Sequence, residues 1–262
     1  MPKLAFCNFM TDPDYLKPLA FENGFDGIDW TLKLEDLPQD KQQEALLLDR
    51  VSNLKPLEVR FHLAYAGIDL GNVIKSEAQK AGEILRRSLE LIARANAEYA
   101  TVHIGLGSNS TGQLHWEWTL EALYNLVQYA RRLGIRLCLE NLAWGWTSRP
   151  ELFERLIRKT GAGVTLDLGH ARVSPWVRSQ HYSLEDFILP HPEKIFNAHI
   201  YHEEGPHGHT PPGSLADIEP RLTLLKRLPC DWWVLELHNE KNLLATLKAV
   251  RDYPSSGALF LK

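Results

Sequence analysis

Gly163–Ala171, G-V-T-L-D-L-G-H-A, decides how this chain reads. Behind a glycine pair, Val164, Thr165 and Leu166 are β-branched or apolar, the pattern of a short buried strand in a parallel sheet. The strand ends on a carboxylate, Asp167, and an imidazole, His170, follows three residues later. A carboxylate at that C-terminal lip is costly to bury unless a cation or a donor answers it, and the lip of a parallel sheet is where ligands gather. Taken alone, the pair fits two readings equally well: Asp167 caps a helix while His170 bonds the backbone, or both ligate a metal.

Outward from this stretch the same unit recurs in both directions. Strands are expected at Leu4–Cys7, Asp26–Trp30, Leu57–His62, Tyr99–Ile104, Ile135–Glu140, Gly163–Asp167, Ile195–Ile200 and Trp233–Leu237. Helices alternate with them at Tyr15–Glu22, Lys41–Leu54, Glu77–Ala97, around Trp116–Ala130, at Pro150–Thr160, near Leu184–Leu189, and at Pro220–Leu228 and Leu243–Val250. Ser76 and Gln79 have the spacing of a capping box for the third helix, and Asp217 is a candidate cap for the seventh. Eight βα units in a chain near the usual size of about 250 residues describe an α/β fold, one (β/α)₈ TIM barrel spanning 1–262. No G-x-G-x-x-G opens the first helix, which argues against an open doubly wound sheet.

A barrel gathers its functional groups at the strand C-termini. His62, His103, Glu140, Asp167, His199 and Glu236 end six consecutive strands, and His170, His207 and His209 lie on adjoining loops. A lone histidine beside an apolar run is ordinary packing, but unpaired carboxylates and imidazoles crowded at one lip would destabilise the fold unless divalent cations neutralise them. Mixed imidazole and carboxylate ligands without thiolate suit zinc, manganese or iron(II), and nine candidates exceed the needs of one ion. Trp30, Trp144 and Trp146, read as loop residues at the same lip, are placed to stack on a sugar or base ring or to cover the barrel mouth. Asn141, beside Glu140, orients it or binds substrate, and Arg172 is a nearby basic group for an anion. Gly105–Ser110 reads as a flexible loop whose amides suit a phosphate.

A net charge of −4 without a basic stripe argues against tight non-specific nucleic-acid binding. Cys7, Cys138 and Cys230 are odd in number and lack C-x-x-C spacing, so they read as reduced core thiols. No apolar stretch reaches membrane-spanning length, and the N-terminal run is too short for a secretory signal, so a cytoplasmic location is expected. A homo-oligomer is compatible with all of this.

Across nearly the whole chain the motifs resemble the xylose-isomerase-like barrels, which include sugar isomerases and epimerases together with the endonuclease IV type of phosphodiester hydrolase. The resemblance rests on N-G-F-D-G-I-D early, H-L-A-Y after the third strand, E-N at the fifth, D-L-G-H at the sixth, H-I-Y-H at the seventh, H-G-H-T-P-P-G-S beyond it and L-E-L at the eighth. It implies one ion at Glu140, Asp167, His199 and Glu236 in the isomerase branch. The endonuclease IV branch adds His62, His103, His170, His207 and His209, for as many as three ions, with His207 standing where that branch carries an Asp. On these matches the expected activity is metal-dependent hydrolysis of a phosphoester. The alternative is isomerisation or epimerisation of a sugar or sugar phosphate, with one metal and Glu140 and Glu236 as the acid–base pair. The loop after the second strand, T-L-K-L-E-D-L-P, lacks the basic character of DNA-repair relatives. The expected partner is therefore a small-molecule or nucleotide-like phosphorylated substrate rather than duplex DNA.

Overall fold

A computed structural model describes residues 2–106, 111–205 and 207–253. Short apolar runs too brief to close a core alone pair edge to edge and bury their outer face under amphipathic helices. In chain order the elements are β1 (Lys3–Cys7), α1 (Pro13–Glu22), β2 (Gly27–Leu32), α2 (Lys41–Asn53), β3 (Glu58–Leu63), α3 (Lys75–Arg94), β4 (Tyr99–Val102), α4 (Trp116–Arg132), β5 (Arg136–Glu140) and α5 (Pro150–Thr160). After β6 (Gly163–Asp167) come α6 (Leu168–Val173), α7 (Pro175–Arg178), α8 (Glu185–Ile188) and β7 (Ile195–Ile200). A hairpin of β8 (Glu203–Gly205) and β9 (Gly208–Thr210) leads to α9 (Glu219–Leu225), β10 (Trp232–Leu235) and α10 (Glu240–Arg251). Eight strands close a parallel barrel in the order β1-β10-β7-β6-β5-β4-β3-β2, the expected (β/α)₈ architecture.

Alternation along each strand divides the barrel into two environments. Outward residues such as Ile28, Trp30, Leu32, Phe61 and Leu63 join a large apolar layer beneath the helices. Inward residues stack in tiers. At the base, the Arg60 guanidinium sits 3.9 Å over the Tyr99 ring and 4.3 Å over the Trp232 ring. Arg60 also donates to Asn197 Oδ1 at 2.6 Å, which passes the network upward as Asn197 Nδ2 donates to Thr165 Oγ1 at 3.0 Å. Thr165 and Thr101 hydroxyls meet at 2.7 Å. This satisfied polar column fills the barrel interior below the lip and leaves the uppermost tier for the ionisable groups.

Two local expectations are corrected. Helix α3 begins at Lys75 with Ile74 as its N-cap, whose aliphatic side chain offers no acceptor for a cap bond; Asn72 Oδ1 accepts the Ile74 N–H at 2.9 Å, and Ser76 lies inside the first turn. Asp217 does not cap α9: its carboxylate accepts from Ser214 N at 2.9 Å and closes a short 3₁₀ turn at Leu215–Asp217. The hairpin β8–β9 has no counterpart among the expected elements. All three cysteines are free and buried. Among the described residues, no helix is long and apolar enough to cross a membrane.

Candidate metal centre

Residue Asp167 caps a helix with one oxygen and turns the other toward the barrel lip, so the cap does not compete with the ligand reading. Oδ1 accepts the His170 N–H at 2.6 Å and caps α6, while Oδ2 accepts from Tyr201 Oη at 3.1 Å and lies 3.2 Å from His170 Nδ1. Gly169 makes this possible: a Cβ there would meet the Tyr201 ring at 2.1 Å, so only glycine lets that ring lie against α6.

Around Asp167 the inward residues of the strand ends converge. His62 Nε2 and His103 Nε2 lie 3.2 and 3.0 Å from Glu140 Oε2, and 2.8 Å from each other. The other oxygen of Glu140, Oε1, lies 3.4 Å from His170 Nδ1 and 3.5 Å from His199 Nδ1. His199 Nδ1 is also 3.1 Å from Glu236 Oε2 and 3.8 Å from Asp167 Oδ2. Metal–ligand bonds of about 2.0–2.2 Å put tetrahedral ligands roughly 3.3–3.6 Å apart, close to these separations. Among the described residues, four groups have ligand atoms within 4.8 Å of one another: Asp29, His62 and His199; His62, His103 and Glu140; Asp167, His170 and His209; and Glu140, Asp167, His199 and Glu236.

Unanswered polar atoms support the fit to cations. Asp29 Oδ2, His62 Nδ1, His103 Nδ1, both ring nitrogens of His199, Glu204 Oε2 and Glu236 Oε2 are buried with no hydrogen-bond partner among the described residues. Native proteins rarely leave so many such atoms together unless an ion or ordered water meets them. The electrostatics run the same way. Burial pushes the Glu140 carboxyl up, but His199, His103 and His62 outweigh it and hold it well below the usual carboxylate range. Burial likewise opposes ionisation of Glu236, and His199 and His209 reverse that effect. At Asp167 burial wins and its pKa is raised. Burial pulls His170 and His209 down, yet Asp167 raises the first and Glu236 the second, each to about 9. Burial lowers the pKa of His103.

Of the expected ligands, eight come together: His62, His103, Glu140, Asp167, His170, His199, His209 and Glu236. His207 does not. It is exposed in the hairpin turn, because the chain reverses there instead of continuing as a strand that would share a face with His209. The substrate-binding set divides. Trp30 is a correction: it lies within β2 and only 1 % exposed, on the outward side of the alternation that turns Asp29 into the barrel. Asn141 is fully buried with both amide atoms spent on the Asp167 backbone, at 2.8 Å each, so it ties β5 to β6 instead of facing a ligand. Trp144 does line the mouth, donating to Gly105 O at 3.2 Å with its ring edge-on to His170 at 6.1 Å. Arg172 is half exposed and lies 3.4 Å from Glu203. Within Gly105–Ser110, residues 107–110 lie outside the described residues.

Three participants went unread in the sequence. Asp29 Oδ2 lies 3.4 Å from His199 Nε2 and 3.8 Å from His62 Nδ1, on the side of each ring away from Glu140. Its signal was present as the last residue of N-G-F-D-G-I-D, within the strand and on its inward face. Tyr201, inside H-I-Y-H, stacks on His209 with centroids 3.8 Å apart and supports Asp167. Glu204 comes from the unpredicted hairpin, with Oε2 3.0 Å from His209 Nε2.

The chain belongs to the xylose isomerase-like TIM barrel family, which matches residues 18–254. An uncharacterized protein of Methanocaldococcus jannaschii is 29% identical over 170 residues, 65% of this chain and 72% of that protein. Among solved structures, a D-tagatose 3-epimerase-like protein superposes with a TM-score of 0.71 at 16% identity, covering 96% of each chain. Endonuclease IV from Thermus thermophilus superposes with a TM-score of 0.66 at 18% identity, covering 96% of this chain and 98% of that one. Both branches of the family are thus represented among the neighbours, and at these identities they share the fold with this chain.

Proposed function

We propose that this barrel is a divalent-metal-dependent phosphoester hydrolase acting on a small or nucleotide-like substrate, with zinc or manganese held at two or three sites. One observation carries the reading: Glu140 offers its two oxygens to two different sets of residues, Oε2 to His62 and His103 and Oε1 to His199, which also stands beside Asp167 and Glu236. A single-ion isomerase needs only Glu140, Asp167, His199 and Glu236; His62 and His103 would then be two buried imidazoles without a role. A carboxylate shared between two sets is what adjacent ions require.

His62, His103, Glu140, Asp167, His199 and Glu236 would hold divalent cations, which when bound would acidify a water and offset negative charge on a phosphoester. The chain's own residues orient and enclose. Asp29 stands behind His62 and His199, as carboxylates behind ligating imidazoles do. Tyr201 fixes Asp167 by a hydrogen bond. Trp144 walls the mouth beside His170, and Arg172 on the rim is the nearest expected anion contact. The loop after β2 carries Glu35 and Asp36 in a short turn, which favours a small substrate over duplex DNA.

The metal-loaded chain should hydrolyse members of a panel of small phosphomonoesters, phosphodiesters and nucleotides. His103→Ala should lose one bound ion and lower kcat/KM by about 100-fold or more, since a ligand is worth at least as much as the residues that orient it. One ion per chain at saturation, with activity unchanged in His103→Ala, would overturn the hydrolase reading. Solvent exchange of a substrate C–H proton on a ketose would favour the epimerase alternative, in which Glu140 and Glu236 move the proton.

A further inference from the structure

The hairpin β8–β9 pairs Glu204 directly with His209 and Glu203 with Thr210. Alternation then turns the two glutamates to opposite sides. Glu203 faces Arg172 and Arg178, at 3.4 and 3.8 Å. Glu204 turns to the barrel lip, where its Oε2 is buried without a hydrogen-bond partner although His209 Nε2 is 3.0 Å away and His170 Nε2 is 4.0 Å away.

The two imidazoles are already committed on their other sides. His170 Nδ1 meets the Asn141 carbonyl oxygen at 3.1 Å, and His209 Nδ1 meets the Glu236 carbonyl oxygen at 2.8 Å. A backbone carbonyl can only accept, so each Nδ1 carries a proton, and once the ring is neutral its Nε2 presents the lone pair. That is the second contact by which ligating histidines are usually oriented. The Nε2 atoms of both rings therefore lie near one carboxylate oxygen, Glu204 Oε2, at 3.0 and 4.0 Å.

We propose that Glu204, and not His207, supplies the carboxylate of a cation site completed by Nε2 of His170 and Nε2 of His209. Two imidazoles and one carboxylate make a three-residue set that leaves a coordination position open for a water or a substrate oxygen. The hairpin would thereby restore, from its inward strand face, the negative charge that H-G-H lacks in its turn. The base of the hairpin is held in place by the buried Arg221, which donates to the carbonyls of Tyr201 at 3.1 Å and His202 at 2.7 Å. This inference rests on the reading of the lip as a metal cluster, but not on the reaction catalysed.

The test titrates the metal-stripped full-length chain with zinc ion alone, reading stoichiometry by calorimetry and native mass spectrometry. Glu204→Gln should lose one tightly bound zinc or weaken that step by about 100-fold or more. His207→Ala should keep the wild-type count, and Glu204→Asp should recover part of the lost step. Thermal melts of the metal-free variants establish that each is folded, and Glu204→Asp carries the test if Glu204→Gln is not. Wild-type zinc binding in Glu204→Gln, loss of a zinc in His207→Ala, or a wild-type count below three would each overturn the proposal. Loss of one zinc in Glu204→Gln with no phosphoester hydrolysed by the wild type would sustain it while overturning the hydrolase reading.

Discussion

Replacing Asn141 by Ala separates two roles for its amide. Backbone pairing between β5 and β6 extends as far as Glu140 opposite Thr165, and beyond it the Asn141 side chain takes over. Its Nδ2 donates to Asp167 O and its Oδ1 accepts from Asp167 N, each at 2.8 Å, in a position with no solvent exposure. Truncation leaves one buried N–H and one buried C=O unpaired at about 1–3 kcal/mol apiece, or roughly 2–6 kcal/mol together. At about 2–4 °C per kcal/mol for a chain of this size, a mid-range loss lowers Tm by about 8–16 °C. Asp167 is released in the same step, so zinc affinity should fall as well, by about 10–100-fold as for other residues that orient ligands. Differential scanning fluorimetry of the metal-free protein and calorimetric zinc titration measure the two effects. A variant with wild-type Tm and zinc affinity but a raised KM would refute the argument and return Asn141 to the substrate.

Truncating Trp30 to Ala should cost about 3–5 kcal/mol of stability through a cavity beneath α2 and leave KM unchanged, read by thermal melts and steady-state kinetics. A raised KM at unchanged Tm would reinstate it as a stacking platform. In metal-free protein His170 and His209 have pKa values of about 9, above the ordinary value of 6.5. Stabilisation by the protonated rings is complete below pH 6.5 and is lost as pH rises through about 9. Tm of chelator-treated protein should therefore fall across that window while zinc affinity rises, because the neutral imidazole is the ligand. A flat Tm from about pH 6 to about pH 10 would refute the assignment.

Much of the barrel was legible because its signals are local. Gly163–Asp167, Pro150–Thr160 and Ile195–Ile200 were delimited to the residue from glycine and proline punctuation and from apolar runs. Six consecutive strands with an ionisable residue at or just past the C-terminal end could be counted without coordinates. Parity could not be counted, since Asp29 and Trp30 are neighbours in one buried run. Only closure of the sheet decides which of them turns inward, which is why Trp30 was assigned to the lip and Asp29 was overlooked. Turn geometry is likewise beyond a motif match: H-G-H sets His207 where the resembling branch carries an Asp, but the chain reverses there and leaves His207 exposed in the turn.

The sequence by itself determined the fold class, the end of the barrel where the ionisable side chains gather and the residue types found there. It also posed cap against ligand for Asp167, and tertiary structure shows the cap on one oxygen while the other meets Tyr201 at the lip. What folding alone decided is which ring nitrogen faces which carboxylate. Glu140 acquires its partners from the ends of β3, β4 and β7, and no local pattern encodes the direction in which a side chain meets another across a closed barrel.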